Sequence, residues 1–264
     1  MTRTWLPETT DAALTALAKT PRLIVALDFD GTVAPFVLDP MTARAIPEAT
    51  VEVVRLAGLP DTVVAYVSGR SLADLRVIAE HTDDSPVVLV GSHGAEYWYP
   101  GTGYQESAAS EHDGEREQLW DATRPIIDRY EGVELEPKAF GMGVHTRRAA
   151  VGVEAAVFAE VDEMVAARFG HWRRRQGDRV LEFSSRLEGK DAAIRTLRER
   201  FAATGILFAG DDVTDEDAMQ ALGERDLGVR VGEGESAAEL RVGGPQEIAV
   251  LLRTVAEIRI AAQE

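Results

Sequence analysis

Apolar residues follow two different rhythms along this 264-residue chain. In its outer parts, short unbroken apolar runs alternate with longer amphipathic stretches. Residues 22–29 (RLIVALDF), 62–67 (TVVAYV), 86–90 (PVVLV) and 205–209 (GILFA) are such runs, and 226–231 (DLGVRV) is a fifth. A strand that is apolar at every position is buried on both faces, which is the condition of a parallel sheet covered by helices. The segments between the runs fit helices over 47–58, 71–81, 190–201, 215–222 and 245–257. Strand and helix in alternation predict an α/β fold with a doubly wound parallel sheet.

The middle of the chain reads differently. From about residue 110 to 187 the pattern is helix, two strands, helix, two strands. The helices are predicted over 115–130 and 151–169. The strands fall at 133–140, 142–147, 171–175 and 179–184, with turns at Gly141 and at Gln176-Gly177-Asp178. Hairpin strands interleaved with helices indicate a small α+β layer inserted into the sheet domain. Residues 101–114 read as an exposed loop leading into it. The expected organisation is a core of 1–108 and 188–264 with an α+β insert at 109–187. Charge supports the division: 109–187 holds 15 acidic and 12 basic residues, whereas the remainder holds 30 and 16.

Composition narrows the function classes. A net charge of −17 opposes binding to nucleic acid or to anionic membranes, so neither is an expected partner. The same charge repels a phosphate ester, so any phosphate site needs local positive charge from a metal ion or a few basic side chains. With no cysteine, thiolate catalysis, disulfides and zinc–sulfur sites are excluded. No basic-then-apolar leader opens the sequence, and no apolar run approaches the roughly 20 residues of a membrane span, so the expected location is the cytoplasm. Only three lysines, Lys19, Lys138 and Lys190, stand against 25 arginines. Coding bias explains most of that. Under such a bias, a retained lysine suggests a need for a compact ammonium.

The candidate chemistry lies at the ends of the apolar runs. Asp28 and Asp30 end the first, Ser68 and Arg70 the second, Ser92 and His93 the third, and Asp211 and Asp212 the fourth. Open α/β sheets bind ligands beyond the carboxyl ends of their strands. A lone Asp-x-Asp is ordinarily a turn or a helix cap, and Ser-Gly-Arg alone says less still. Four polar strand ends in one chain are much harder to attribute to turns. Two carboxylates two residues apart point the same way from an extended strand. Magnesium prefers oxygen ligands, which Asp28, Asp211 and the backbone carbonyl of Asp30 would supply. Lys190 would share the neutralisation of a phosphate, at the start of a helix whose free amides favour anions. Ser68 would hydrogen-bond a phosphate oxygen.

In order, DFDGT at 28–32, SGR at 68–70, Lys190 and GDDVTDED at 210–217 resemble the four motifs of the haloacid-dehalogenase superfamily. The longer strings DFDGTVAPFVLDP, SGRSLADLR, GSHGAE and GDDVTDEDAM resemble the trehalose-6-phosphate phosphatase family, over about residues 23–252. The resemblance implies a Rossmann-like core with an inserted α+β cap. It implies magnesium as cofactor and hydrolysis of trehalose 6-phosphate to trehalose and phosphate. Asp28 would be the nucleophile, Asp30 the general acid and base, and Thr32 a support for the loop, with Ser68 and Lys190 completing the catalytic set. Asp211 would bind the metal beside Asp28 and Asp30, supported by Asp212 and Asp215. Gly69, Arg70 and His93 would meet the substrate. In the cap, Glu136-Pro137-Lys138 resembles the family's Glu-x-Lys, and with Glu182 it would bind sugar hydroxyls. An exposed edge strand is the plain alternative for Glu136 and Lys138. His145-Thr146-Arg147 departs from the usual His-Tyr-Arg, and Asp191 stands where a glycine commonly follows the lysine. His81, His112 and His171 read as surface histidines without nameable partners. The implied partners are a small sugar phosphate and, functionally, a trehalose-6-phosphate synthase. Two alternatives stay open: another sugar-phosphate phosphatase, acting on sucrose phosphate or a glucosyl-glycerate phosphate, and a non-catalytic sugar-phosphate-binding subunit.

Overall fold

The computed structural model of the chain describes residues 2–6, 11–108, 112–177 and 179–262. The turn residue Asp178 and the expected start of the insert at 109 lie outside the described residues. The chain divides into two compact units, residues 1–107 with 188–264 and residues 108–187.

The first unit is a nine-stranded sheet. Its strands are β1 (Arg3–Thr4), β2 (Leu23–Leu27), β3 (Thr62–Val67), β4 (Val88–Gly91), β5 (Glu96–Tyr99) and β6 (Gly103–Glu106) before the second unit. After it come β11 (Gly205–Gly210), β12 (Leu227–Val231) and β13 (Leu240–Val242). The spatial order is β1-β13-β12-β11-β2-β3-β4-β5-β6. Every pairing from β1 to β4 is parallel, and the two pairings that attach β5 and β6 are antiparallel. Strand alternation divides β2 between two cores: Leu23, Val25 and Leu27 pack into one, and Ile24 and Ala26 into the other. The helices α1 (Ala12–Ala18), α2 (Pro47–Ala57), α3 (Leu72–Ile78) and α8 (Pro245–Ala261) supply the first core, and α6 (Lys190–Phe201) and α7 (Val213–Gln220) the second. This is the doubly wound arrangement expected from the unbroken apolar runs. Phe29 and Phe208 are wholly buried. Truncating either to alanine would cost about 3–5 kcal/mol.

One expectation for this unit fails. The stretch read as a loop from residue 101 contains β6, and β5 precedes it unpredicted. Tyr97 and Tyr99 stack at 5.5 Å on one side of β5. The pair β5–β6 extends the sheet as an antiparallel hairpin turned at Pro100-Gly101-Thr102. Its strands, EYWY and GYQE, mix aromatic with polar residues and lack the continuous apolar run of the central strands.

The second unit is a four-stranded antiparallel sheet in the order β7-β8-β10-β9, where β7 is Glu134–Lys138, β8 Gly141–His145, β9 Arg173–Gly177 and β10 Val180–Ser184. The helices α4 (Arg116–Ile127) and α5 (Val153–Arg168) cover one face, where Met142, Val144, Leu181 and Phe183 meet Leu119, Val157, Phe158 and Val161. The opposite face carries Glu136, Gly143, Glu182 and Arg175 in one register row. Among the described residues no helix is long and apolar enough to cross a membrane.

Candidate active site

Asp28 follows β2 directly, its amide donating to Ala209 O at 2.9 Å. The chain then turns back on itself: Gly31 adopts φ +82° and donates to Ala34 O at 2.7 Å. That turn runs tight against the segment after β11. A Cβ on Gly31 would lie 2.2 Å from a carboxylate oxygen of Asp211, so this position admits no side chain.

Four charged groups converge here. The Lys190 ammonium donates to Asp28 Oδ1 at 2.5 Å and to Asp215 Oδ1 at 2.6 Å. Lys190, Asp28 and Asp215 are all buried, with Asp215 fully so. Asp28, Asp211 and Asp215 each offer a carboxylate oxygen within 4.8 Å of the others. Burial pushes the Asp28 carboxyl well above its ordinary value, opposed by Lys190 and reinforced by Asp215 and Asp211. Burial, with Asp215 beside it, pushes Asp211 up to about 7. Burial works against the charge of Lys190, but Asp215 and Asp28 outweigh it and hold the ammonium charged.

Three carboxyl groups face one ammonium in a place where burial disfavours the ionisation of Asp28 and Asp211, so an added cation would stabilise their charged forms. The donor set is oxygen only, which suits a hard divalent cation and not a soft one. The Thr32 hydroxyl is buried and has no hydrogen-bond partner among the described residues, a further polar group awaiting a ligand. The residues present therefore fit a metal ion.

The other sequence-predicted residues sort around this group. Asp30 does not join the carboxylate trio. Both its oxygens accept from Arg70, at 2.6 Å from Nε and 2.7 Å from Nη2. The Asp212 side chain also turns elsewhere, accepting from Val213 N at 2.6 Å to cap α7. Asp215 completes that capping box, accepting from Asp212 N at 2.9 Å through the oxygen that Lys190 leaves. Ser68 is buried after β3, and its hydroxyl accepts from Arg70 N at 3.2 Å. His93 lies against Gly69, where a Cβ would sit 2.6 Å from the imidazole, and its amide donates to Ser68 O at 3.0 Å.

Sequence reasoning missed Glu96. Its buried carboxylate accepts from Leu72 N at 3.0 Å and from Ser92 Oγ at 2.6 Å, tying the Ser-Gly-Arg loop to the Ser92–His93 turn. The signal was present in the GSHGAE string but carried no sign of this role.

On the face of the second sheet away from its helices, the Lys138 ammonium donates to Glu182 and lies 3.7 Å from Glu136. His145 Nε2 shares a hydrogen with Glu136 Oε2 at 2.7 Å. Gly143 makes room for this group. A Cβ there would come within 3.1 Å of Glu136, 3.2 Å of His145 and 3.4 Å of Lys138. His145 and Gly143 are additions to the predicted set. The three histidines read as unpartnered all have partners. His81 Nε2 lies 3.0 Å from Val87 O, and His112 and His171 both meet Glu115.

The family model described as trehalose-phosphatase matches residues 26–241. The trehalose-phosphate phosphatase of Mycobacterium ulcerans is 31% identical over 246 residues, covering 87% of this chain. The chain spans 60% of that relative's length. The structure of the C-terminal domain of Candida albicans trehalose-6-phosphate phosphatase superposes with a TM-score of 0.83 at 19% identity, covering 97% of this chain and 98% of that one. The C-terminal domain of the trehalose synthase regulatory protein of Candida albicans matches with a TM-score of 0.68 at 14% identity, covering 88% and 94%. At these identities the structural likeness is one of fold.

Proposed function

The chain belongs to the trehalose-phosphatase family, and from that premise we propose that it hydrolyses trehalose 6-phosphate to trehalose and inorganic phosphate, with Asp28 as nucleophile. The observation that carries this reading is the buried convergence of Asp28, Lys190, Asp211 and Asp215 at the carboxyl ends of β2 and β11. A structural ion pair needs neither three carboxylates nor a place at that sheet edge.

Asp28 bonds to phosphorus as the bond to the sugar oxygen breaks. Asp30, entering the step protonated and so giving up one of its two hydrogen bonds from Arg70, gives that oxygen its proton. A water molecule then attacks phosphorus and passes a proton to Asp30, the bond to Asp28 breaks, and phosphate leaves. Lys190 holds the attacking carboxylate in place and keeps a positive charge beside the phosphoryl group throughout. Arg70 fixes the orientation of Asp30, and Ser68 and Thr32 offer hydroxyls to phosphate oxygens. Asp28, Asp211, Asp215 and the Asp30 carbonyl would hold magnesium, with Asp212 supporting them through the α7 cap. When bound, magnesium neutralises phosphate charge and draws the phosphoryl group into line. Gly69 and His93 border the same loop and complete the phosphate side.

The insert at 108–187 acts as the specificity cap. Glu136, Lys138 and Glu182, with His145, form a polar floor over Gly143 suited to sugar hydroxyls. The same reading pairs the chain functionally with a trehalose-6-phosphate synthase in the cytoplasm.

Phosphate release from a panel of phosphorylated mono- and disaccharides with magnesium present tests the proposal. Trehalose 6-phosphate should exceed sucrose phosphate, glucosyl-glycerate phosphate and glucose 6-phosphate by at least about tenfold in kcat/KM, or ~1.4 kcal/mol. Preference for one of the others would replace the substrate and keep the chemistry. No release from any would remove the enzymatic reading.

A further inference from the structure

We propose that the insert carries a second metal site, for a borderline transition cation of the zinc class, formed by His112, Glu115 and His171. One ligand atom from each residue lies within 4.8 Å of the other two. His112 Nδ1 is 3.3 Å from Glu115 Oε1, and His171 Nε2 is 2.8 Å from Glu115 Oε2. Zinc ligands at about 2.1 Å in a tetrahedron stand about 3.4 Å apart, so the observed spacings need only small rotamer adjustments.

The local structure explains the convergence. A short 3-10 turn over Asp113–Glu115 precedes α4, closed by Glu115 N donating to His112 O at 3.0 Å. Residues three apart eclipse one another in such a turn, which sets His112 above Glu115. His171 arrives from the turn between α5 and β9. Its neighbour Trp172 is buried in the insert core and anchors that turn, with its amide donating to Phe169 O at 2.9 Å. The Trp172 indole N–H points to Glu115 Oε2 at 3.5 Å, which steadies the carboxylate as outer partners of metal ligands do.

The imidazole rings stack with centroids 3.5 Å apart and planes 29° from parallel. Two imidazoles beside a carboxylate present three Lewis bases to a common point. A bound cation satisfies all three, and imidazole and carboxylate together select zinc, cobalt, nickel or copper over magnesium. The three ligands are each about one-third exposed, so an ion has access and a fourth position remains for water. The ion would clasp the entry of the insert to the turn before β9, holding together segments 56 residues apart in sequence.

The test is titration of the intact protein with cobalt(II) in millimolar magnesium, which occupies the oxygen-only site of the core. One equivalent should bind with the strong visible absorption of a four- or five-coordinate ion, and zinc should displace it. His112→Ala and His171→Ala, with folding confirmed by circular dichroism, should each weaken binding at least about tenfold and remove the absorption. Asp211→Asn should leave both unchanged. The proposal is overturned by no cobalt or zinc binding up to about 100 µM, by binding that survives both histidine substitutions, or by binding lost with Asp211.

Discussion

At Asp211, burial and the neighbouring Asp215 give a pKa of about 7 against an ordinary 3.8. Between those pH values the folded protein keeps a proton that the unfolded chain has released. This group's contribution to the stability of the metal-free protein is therefore present at acid pH and is lost as pH rises towards 7. In excess chelator at pH 8, Asp211→Asn should melt several degrees above wild type. The gap should narrow towards pH 5. A lower melting temperature for the variant at pH 8 would refute this account of the site's charge. Arg70 offers a second test. Its fork is the bidentate partner of Asp30, so Arg70→Gln should lower kcat by about ten- to a hundredfold, ~1.4–2.7 kcal/mol, with KM changed less. Steady-state kinetics would show a pure KM effect if Arg70 served only to bind substrate. Asp30, Arg70 and Asp211 were legible in the sequence because each closes an apolar run, whereas Asp215 came only with the family resemblance. Their partnerships were not legible. Asp30 and Arg70 are 40 residues apart, and nothing in the sequence says that Asp215, rather than Asp212, faces Lys190. The one-turn advance of α7 from its capping box makes that choice.

Elements place these side chains, and two glycines carry much of that placement. Gly31→Ala would set a methyl group 2.2 Å from the Asp211 carboxylate, a steric clash, at a positive φ. Activity and magnesium affinity should fall together, by at least about a hundredfold in kcat/KM. Near-normal kinetics would mean that the β2 loop and the β11 end move apart freely. The central strands were readable because parallel strands buried on both faces are apolar throughout. β5 and β6 were not, because these four-residue edge strands, EYWY and GYQE, mix aromatic and polar residues without an unbroken apolar run. β1 and β13, two and three residues long, are too short to leave a pattern. In the insert, the hairpin signals gave both strand pairs but misplaced the turns: Gly141 opens β8, and Gln176 and Gly177 close β9, because all three still pair across their hairpins. Gly143 gave no clue that its missing side chain opens a polar row from Glu136 to Glu182.

For the molecule as a whole, the account assigns phosphoryl transfer to the sheet unit and sugar selection to the insert. Their residue types differ accordingly. One has carboxylates gathered around a buried lysine, and the other has Glu136, Lys138, Glu182 and His145 on the sheet face away from α4 and α5. Glu136→Ala, Lys138→Ala and Glu182→Ala should each lower kcat/KM for trehalose 6-phosphate by about tenfold to a thousandfold, ~1.4–4 kcal/mol. A small aryl phosphate should be hydrolysed almost as before. Equal losses on both substrates would move these residues from sugar recognition to general machinery. The central claim is that Asp28 is the nucleophile, and turnover of trehalose 6-phosphate by Asp28→Asn, folded and supplied with magnesium, tests it most directly. The amide keeps the shape of the side chain but cannot form the phosphoryl bond. The account predicts a loss of at least about a thousandfold, ~4 kcal/mol in the barrier, and a variant that keeps about a tenth of the wild-type rate, a loss of only ~1.4 kcal/mol, would contradict it.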